Sequence, residues 1–118
     1  MSVPLQVTFR GMEPSPALTE RIHAEADKLE ALYGRITRCH VVVDQPHRRH
    51  RQGRHFRVLI ELRIPRVDIV VGRDPDEHRE YEQPYLAVAE AFAAAGRRLQ
   101  ESARARREAV RRQVVAAR

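Results

Sequence analysis

The chain has 118 residues, one cysteine and a formal charge of +6, a length suited to one domain with its own core. Its composition, 42% hydrophobic and 32% charged, is not that of a disordered chain, and the lone cysteine excludes an internal disulfide. No run approaches the roughly 18 apolar residues of a membrane span and no secretory leader is visible, so the expectation is a cytoplasmic domain, a monomer when free, without membrane attachment.

Residues 3–10 are predicted as a strand, because Leu5, Val7 and Phe9 alternate with Pro4, Gln6 and Thr8. Gly11 to Pro14 turn the chain, and Ser15 followed by Pro16 is a helix start with serine as N-cap. Leu18, Ile22, Ala26, Leu29, Leu32 and Tyr33 then recur at helical spacing, and Gly34 supplies the stop. A second strand spans residues 36–44 around Val41, Val42 and Val43, followed by a polar, basic loop over 45–54. Phe56, Val58, Ile60, Leu62 and Ile64 mark one face of a third strand, against Arg57, Leu59, Glu61 and Arg63 on the other. One sheet face is therefore covered and the other open. Pro65 and Arg66 turn into a fourth, antiparallel strand over 67–71, and residues 73–83 form an acidic loop.

Pro84 opens a second helix. Tyr85, Val88, Ala89, Phe92, Leu99 and Ala103 lie near one stripe, and Gly96 on that stripe permits close packing against the sheet. Past Ala103 the stripe thins while arginines crowd the helix, so its end projects beyond the core or frays. The domain is expected to span 1–112, with 113–118 as a frayed tail. The order β-α-β-β-β-α, with strands one and two parallel across a right-handed crossover, gives an α/β (α+β) two-layer sandwich. Its four-stranded sheet carries both helices on one face.

The charge is unevenly placed, and 21 of the 22 basic residues are arginine. Residues 45–73 hold eight basic and two acidic residues, as do residues 97–118, so each block carries +6. Between them, residues 74–96 carry −5, with one basic and six acidic residues. Two separate basic patches point to a polyanion, most simply nucleic acid, with a solvated basic surface as the bland alternative. Arginine pairs phosphate oxygens bidentately, as lysine does not. Aromatic content is only 5%, and no aromatic strand motif of single-strand RNA readers is present. The expected mode is shape-directed binding of structured RNA, with candidate residues Arg48, Arg49, Arg51 and Arg54 in the loop and Arg97, Arg98, Arg104, Arg106 and Arg107 on the second helix.

Other chemistry has little support. His47, His50 and His55, with Cys39 and His40 on the preceding strand, are metal-ligand types, but they fit no zinc signature and the arginines around them repel a divalent cation. No metal and no cofactor are expected. There is no glycine-rich phosphate loop, nucleophile elbow or HExxH motif. Cys39 is read as a core or sheet residue, and Asp74, Asp76, Glu77, Glu80 and Glu82 as a solvated loop. The chain is read as a non-enzyme without a small-molecule substrate.

The runs Val7-Thr8-Phe9-Arg10-Gly11, Leu18-Thr19 and Lys28-Leu29-Glu30-Ala31-Leu32-Tyr33 resemble the start of the ribosome hibernation promoting factor family. That family is also called ribosome-associated inhibitor or sigma-54 modulation protein. Tyr85-Leu86-Ala87-Val88 and Arg97-Arg98-Leu99-Gln100 are similar to its second-helix signature, and the likeness spans residues 3 to about 107. The resemblance implies binding to the small ribosomal subunit and its rRNA near the decoding region, blocking translation in stressed or stationary cells. It adds Lys28 on helix one to the RNA-facing set and matches Arg97, Arg98, Arg104, Arg106 and Arg107. The loop arginines rest on charge alone. Helix one departs from the family in carrying Glu20, Glu25, Asp27 and Glu30, and Ala89 stands where the signature often has aspartate. The likeness is to the family's short form, so no C-terminal dimerisation domain is expected. Two alternatives stand beside this reading: a protein-interaction regulator of transcription, and a general binder of structured RNA.

Overall fold

The computed structural model describes residues 4–46, 55–72 and 83–116. The elements run β1 (Leu5–Arg10), α1 (Pro16–Tyr33), β2 (Arg38–Asp44), β3 (Arg57–Ile64), β4 (Val67–Val71) and α2 (Pro84–Ala116). This is the expected β-α-β-β-β-α order. β1 and β2 each start two residues later than the sequence pattern suggests: Pro4 has no amide hydrogen for the ladder, though its carbonyl accepts from the Cys39 amide at 3.0 Å, and Ile36 is buried in the connection rather than in the ladder.

α1 begins where its chemistry says it should. Ser15 is extended (φ −115°, ψ 111°), and its Oγ accepts a 3.2 Å hydrogen bond from the Leu18 amide. That bond satisfies one of the donors a helix start leaves unpaired, while Pro16 has no amide hydrogen to lose. At the other end the Gly34 amide donates to the Glu30 carbonyl at 2.8 Å. The Glu30 carboxylate also accepts from the Ile36 amide at 3.2 Å, which pins the chain as it leaves the helix. Leu18, Ile22, Ala26 and Leu29 form the buried stripe.

The sheet order is β1-β2-β3-β4. β1 pairs parallel with β2, Leu5 opposite Cys39, and the next two pairings are antiparallel, Val41 opposite Ile60 and Leu62 opposite Ile69. Cys39, Val41, Val43, Val58, Ile60, Leu62, Ile64, Ile69 and Val71 are buried. While Val42 is buried on the other face, these residues stand at every second position of their strands and lie together on the inner one. α2 crosses β3 and β4, and α1 lies beside it over β1, so both helices cover this one face. α2 buries Ala87, Val88, Ala91, Phe92, Ala95 and Leu99. Each large side chain so buried contributes about 1.5–3 kcal/mol, and among the described residues no charged side chain shares the core.

Two details differ from the sequence reading. Leu32 is 74% exposed and Tyr85 41% exposed, each at an end of the covered stripe where the opposing layer has run out. Gly96 faces α1 rather than the sheet: a methyl there would lie 3.6 Å from Leu29 Cδ2 and 3.9 Å from the Tyr33 hydroxyl. As the thinning apolar stripe implied, α2 projects past the core: it continues to Ala116 and is exposed from Arg104 onward, leaving roughly 25 Å of helix beyond its last core residue, Leu99.

Candidate nucleic-acid interface

Geometry sorts the arginines of α2. At about 100° per residue, Val88, Phe92, Ala95 and Leu99 face the sheet. Arg97, Arg104 and Arg111 recur every seventh residue on the opposite side, with Arg107 beside them, and all four are exposed. They make a stripe running from the sheet-backed part of the helix onto its overhang. α2 carries seven arginines against Glu90, Glu101 and Glu108, a field suited to polyphosphate.

The other candidates fall elsewhere. Arg98 is half-buried on the flank of α2. Arg106, seven residues past Leu99, continues the core-facing side of the helix after the core has ended, and lines a cleft with Arg35 and Arg66. Lys28 is well exposed on α1 and sits 3.5 Å from Glu25, which also holds Arg21 at 3.4 Å. With Glu20, Asp27 and Glu30 on the same helix, α1 has a net charge of −2, two basic residues against four acidic. Lys28 therefore stands in an acidic surround rather than extending the arginine stripe. Arg48, Arg49, Arg51 and Arg54 lie outside the described residues, as do His47, His50 and the acidic residues 74–82.

The open face of the sheet is charged but balanced. Its register sets Arg10, Asp44 and Arg57 in one row, Gln6, His40, Glu61 and Val70 in another, and Arg38, Arg63 and Asp68 in a third. Arg57 Nη2 donates to Asp44 Oδ2 at 2.6 Å, and Arg63 Nε to Asp68 Oδ1 at 2.9 Å. Hydrogen bonding to Arg63 holds the Asp68 carboxyl below its ordinary range. His40 lies between Thr8 Oγ1, 2.9 Å from its Nε2, and Glu61 Oε1, 3.8 Å from its Nδ1. Four arginines thus meet three carboxylates, two of them in close pairs, and little positive field is left over. The outer side of α2 is the stronger anion surface. Alternation alone showed the sheet face to be open, but its neutralisation depends on register, which no single strand reveals.

Cys39 is buried on the inner face, and burial pushes its thiol up to about 12, the opposite of what a nucleophile needs. Among the described residues no three histidine, cysteine or acidic side chains converge as a metal site, and no helix is long and apolar enough to cross a membrane.

The description of the sigma 54 modulation protein / S30EA ribosomal protein family matches residues 5–107, from the first residue of β1 into the overhang of α2. The chain belongs to this family. The family fold is also seen in two similar solved structures. A ribosomal subunit interface protein from Coxiella burnetii has a TM-score of 0.64 at 17% identity, covering 83% of this chain and 94% of that one. The N-terminal domain of Protein Y from Thermus thermophilus has a TM-score of 0.60 at 16% identity, covering 86% and 98%. At such identities the likeness establishes the shared fold, and the family match carries the relationship. No curated protein sequence matches the chain.

Proposed function

We propose that this family member binds the small ribosomal subunit near the decoding region and blocks translation by occupancy, without turnover, in the cytoplasm. The observation that carries the reading is the stripe of Arg97, Arg104, Arg107 and Arg111 on the side of α2 turned away from the core. A helix edge with arginines roughly 5–10 Å apart along its axis presents forks to successive backbone phosphates, which fixes position without reading bases. The family's description includes a ribosomal protein, and one similar structure is of a ribosomal subunit interface protein. Both support a ribosomal partner over generic RNA.

Co-sedimentation with purified small subunits and whole ribosomes over a salt series, with free double-stranded RNA as competitor, tests the proposal. The expected result is saturable binding that falls steeply with salt, resists the competitor and inhibits translation in vitro. Changing Arg97, Arg98, Arg104 and Arg107 together to Glu abolishes it while the circular dichroism spectrum is kept. Binding lost equally to any RNA would make the chain a general structured-RNA binder. Absence of binding to either would return attention to a protein partner in transcription.

A further inference from the structure

Three arginines from three separate elements meet at a concavity distinct from the outer stripe of α2. Arg35 follows the glycine cap of α1, Arg66 is the second residue of the β3–β4 turn, and Arg106 lies on the overhang of α2. With Ser102, Val67 and Val110 they line a cleft of about 600 Å³, within the ~300–1,000 Å³ of small-molecule sites. A smaller recess of about 60 Å³, lined by Tyr33 and Leu99, shares Arg35 and Arg106 with it. No carboxylate lines the cleft, and among the described residues none pairs with these three guanidiniums.

The backbone adds a second observation. Arg35 has φ 60° and Arg66 φ 69°, the left-handed region where a side chain crowds its own backbone and glycine or asparagine is favoured. They are the two non-glycine residues with positive φ among those described, and both line this cleft. Arginine at such positions works against local preference, a pattern found where the side chain serves a site.

Three like charges around one hollow favour a compact multivalent anion, and the arginine fork matches phosphate oxygens. Val67 and Val110, 38% and 53% exposed, offer apolar surface against which a flat ring can lie. A free nucleotide combines both features in one molecule, with its phosphates adjacent. Backbone phosphates of an RNA strand are instead spaced by sugars, and suit the linear stripe of α2 better than a hollow. We propose that this cleft binds a nucleoside di- or triphosphate, its phosphates held by Arg35, Arg66 and Arg106 and its base laid on Val67 and Val110.

Isothermal titration of the full chain at low salt with ATP and GTP, and separately with pyrophosphate and adenosine, tests this without any ribosome present. Its failure therefore leaves the ribosomal reading standing, and failure of that reading leaves this one. The expected result is one saturable site per chain for at least one of the two nucleotides, with pyrophosphate at least tenfold weaker and adenosine without measurable binding. Arg35→Asn and Arg66→Asn, chosen because asparagine tolerates positive φ, each weaken binding at least tenfold with an unchanged thermal melt. Arg21→Ala, toward the other end of α1, alters it less than twofold. Absence of saturable binding by either nucleotide overturns the proposal, as does pyrophosphate binding as tightly as the nucleotides. Equal weakening by Arg21→Ala would also overturn it, by showing diffuse charge attraction rather than a site.

Discussion

Asp44 closes one end of the open sheet face by accepting a 2.6 Å hydrogen bond from Arg57, its partner in the β2–β3 register. Arg10 flanks Asp44 on the β1 side, so a single carboxylate separates two guanidiniums. Both side chains of the pair are three-quarters buried, which limits screening by water and raises the interaction above an ordinary surface pair. Asp44→Ala removes the acceptor and leaves two arginines adjacent. The expected loss is about 1–3 kcal/mol, read as a lower urea midpoint at unchanged slope. Asp44→Asn, which keeps an acceptor oxygen but not the charge, is expected to lose less. An unchanged midpoint for the alanine variant would show the pair to be energetically idle.

Two glycines in similar sequence surroundings are expected to respond in opposite directions. Gly72 has φ 96°, and a Cβ there would lie 2.5 Å from the Val58 carbonyl oxygen and 3.3 Å from Leu59 Cα, backbone atoms that cannot swing aside. Gly72→Ala is expected to destabilise by about 2–4 kcal/mol, from the unfavourable φ and the overlap together. Gly96 has helical backbone and space for a methyl against Leu29 and Tyr33. Gly96→Ala is therefore expected to stabilise by roughly 0.5–1 kcal/mol. Thermal melts of both variants check this, and a destabilised Gly96→Ala would mean that α1 and α2 sit closer than 3.6 Å implies.

The Arg63–Asp68 pair predicts a pH dependence of definite sign. Asp68 titrates below its ordinary range in the folded state because Arg63 hydrogen-bonds its charged form. Its contribution is thus present above the unfolded carboxylate value and lost as pH falls through the lower, folded one. The melting temperatures of the native chain and of Asp68→Asn should differ most at neutral pH and converge in acid below about pH 4. Because both side chains are solvent-exposed, the difference should also shrink with added salt. A gap that widens in acid would contradict the assignment.

Much of this molecule was legible before any coordinates. Ser15-Pro16 and Gly34 bracketed α1 because caps are local chemistry, and the alternation from Phe56 to Ile64 identified the covered face because strand periodicity is fixed by the backbone. The family likeness, carried by the runs around Phe9, Leu29 and Arg97, was readable as well, and the family match over residues 5–107 bears it out. Periodicity says that a side is covered but not by what, so Gly96 was assigned to the sheet when its neighbours are Leu29 and Tyr33 on α1. It also overruns the ends of a layer, as Leu32 and Tyr85 show.

What tertiary structure alone decided is which charges remain available. A count of arginines treats Arg57, Arg63, Arg97 and Arg106 alike. Strand register neutralises the first two with Asp44 and Asp68, helical phase turns Arg97 outward, and the overhang of α2 carries Arg106 to Arg35 and Arg66. Arg35 and Arg66 lie 31 residues apart, and Arg66 and Arg106 a further 40, so no window along the chain contains their meeting. Composition sets the total charge of the chain, and Coulomb interactions depend on separation in space, which only the packed sheet and helices define.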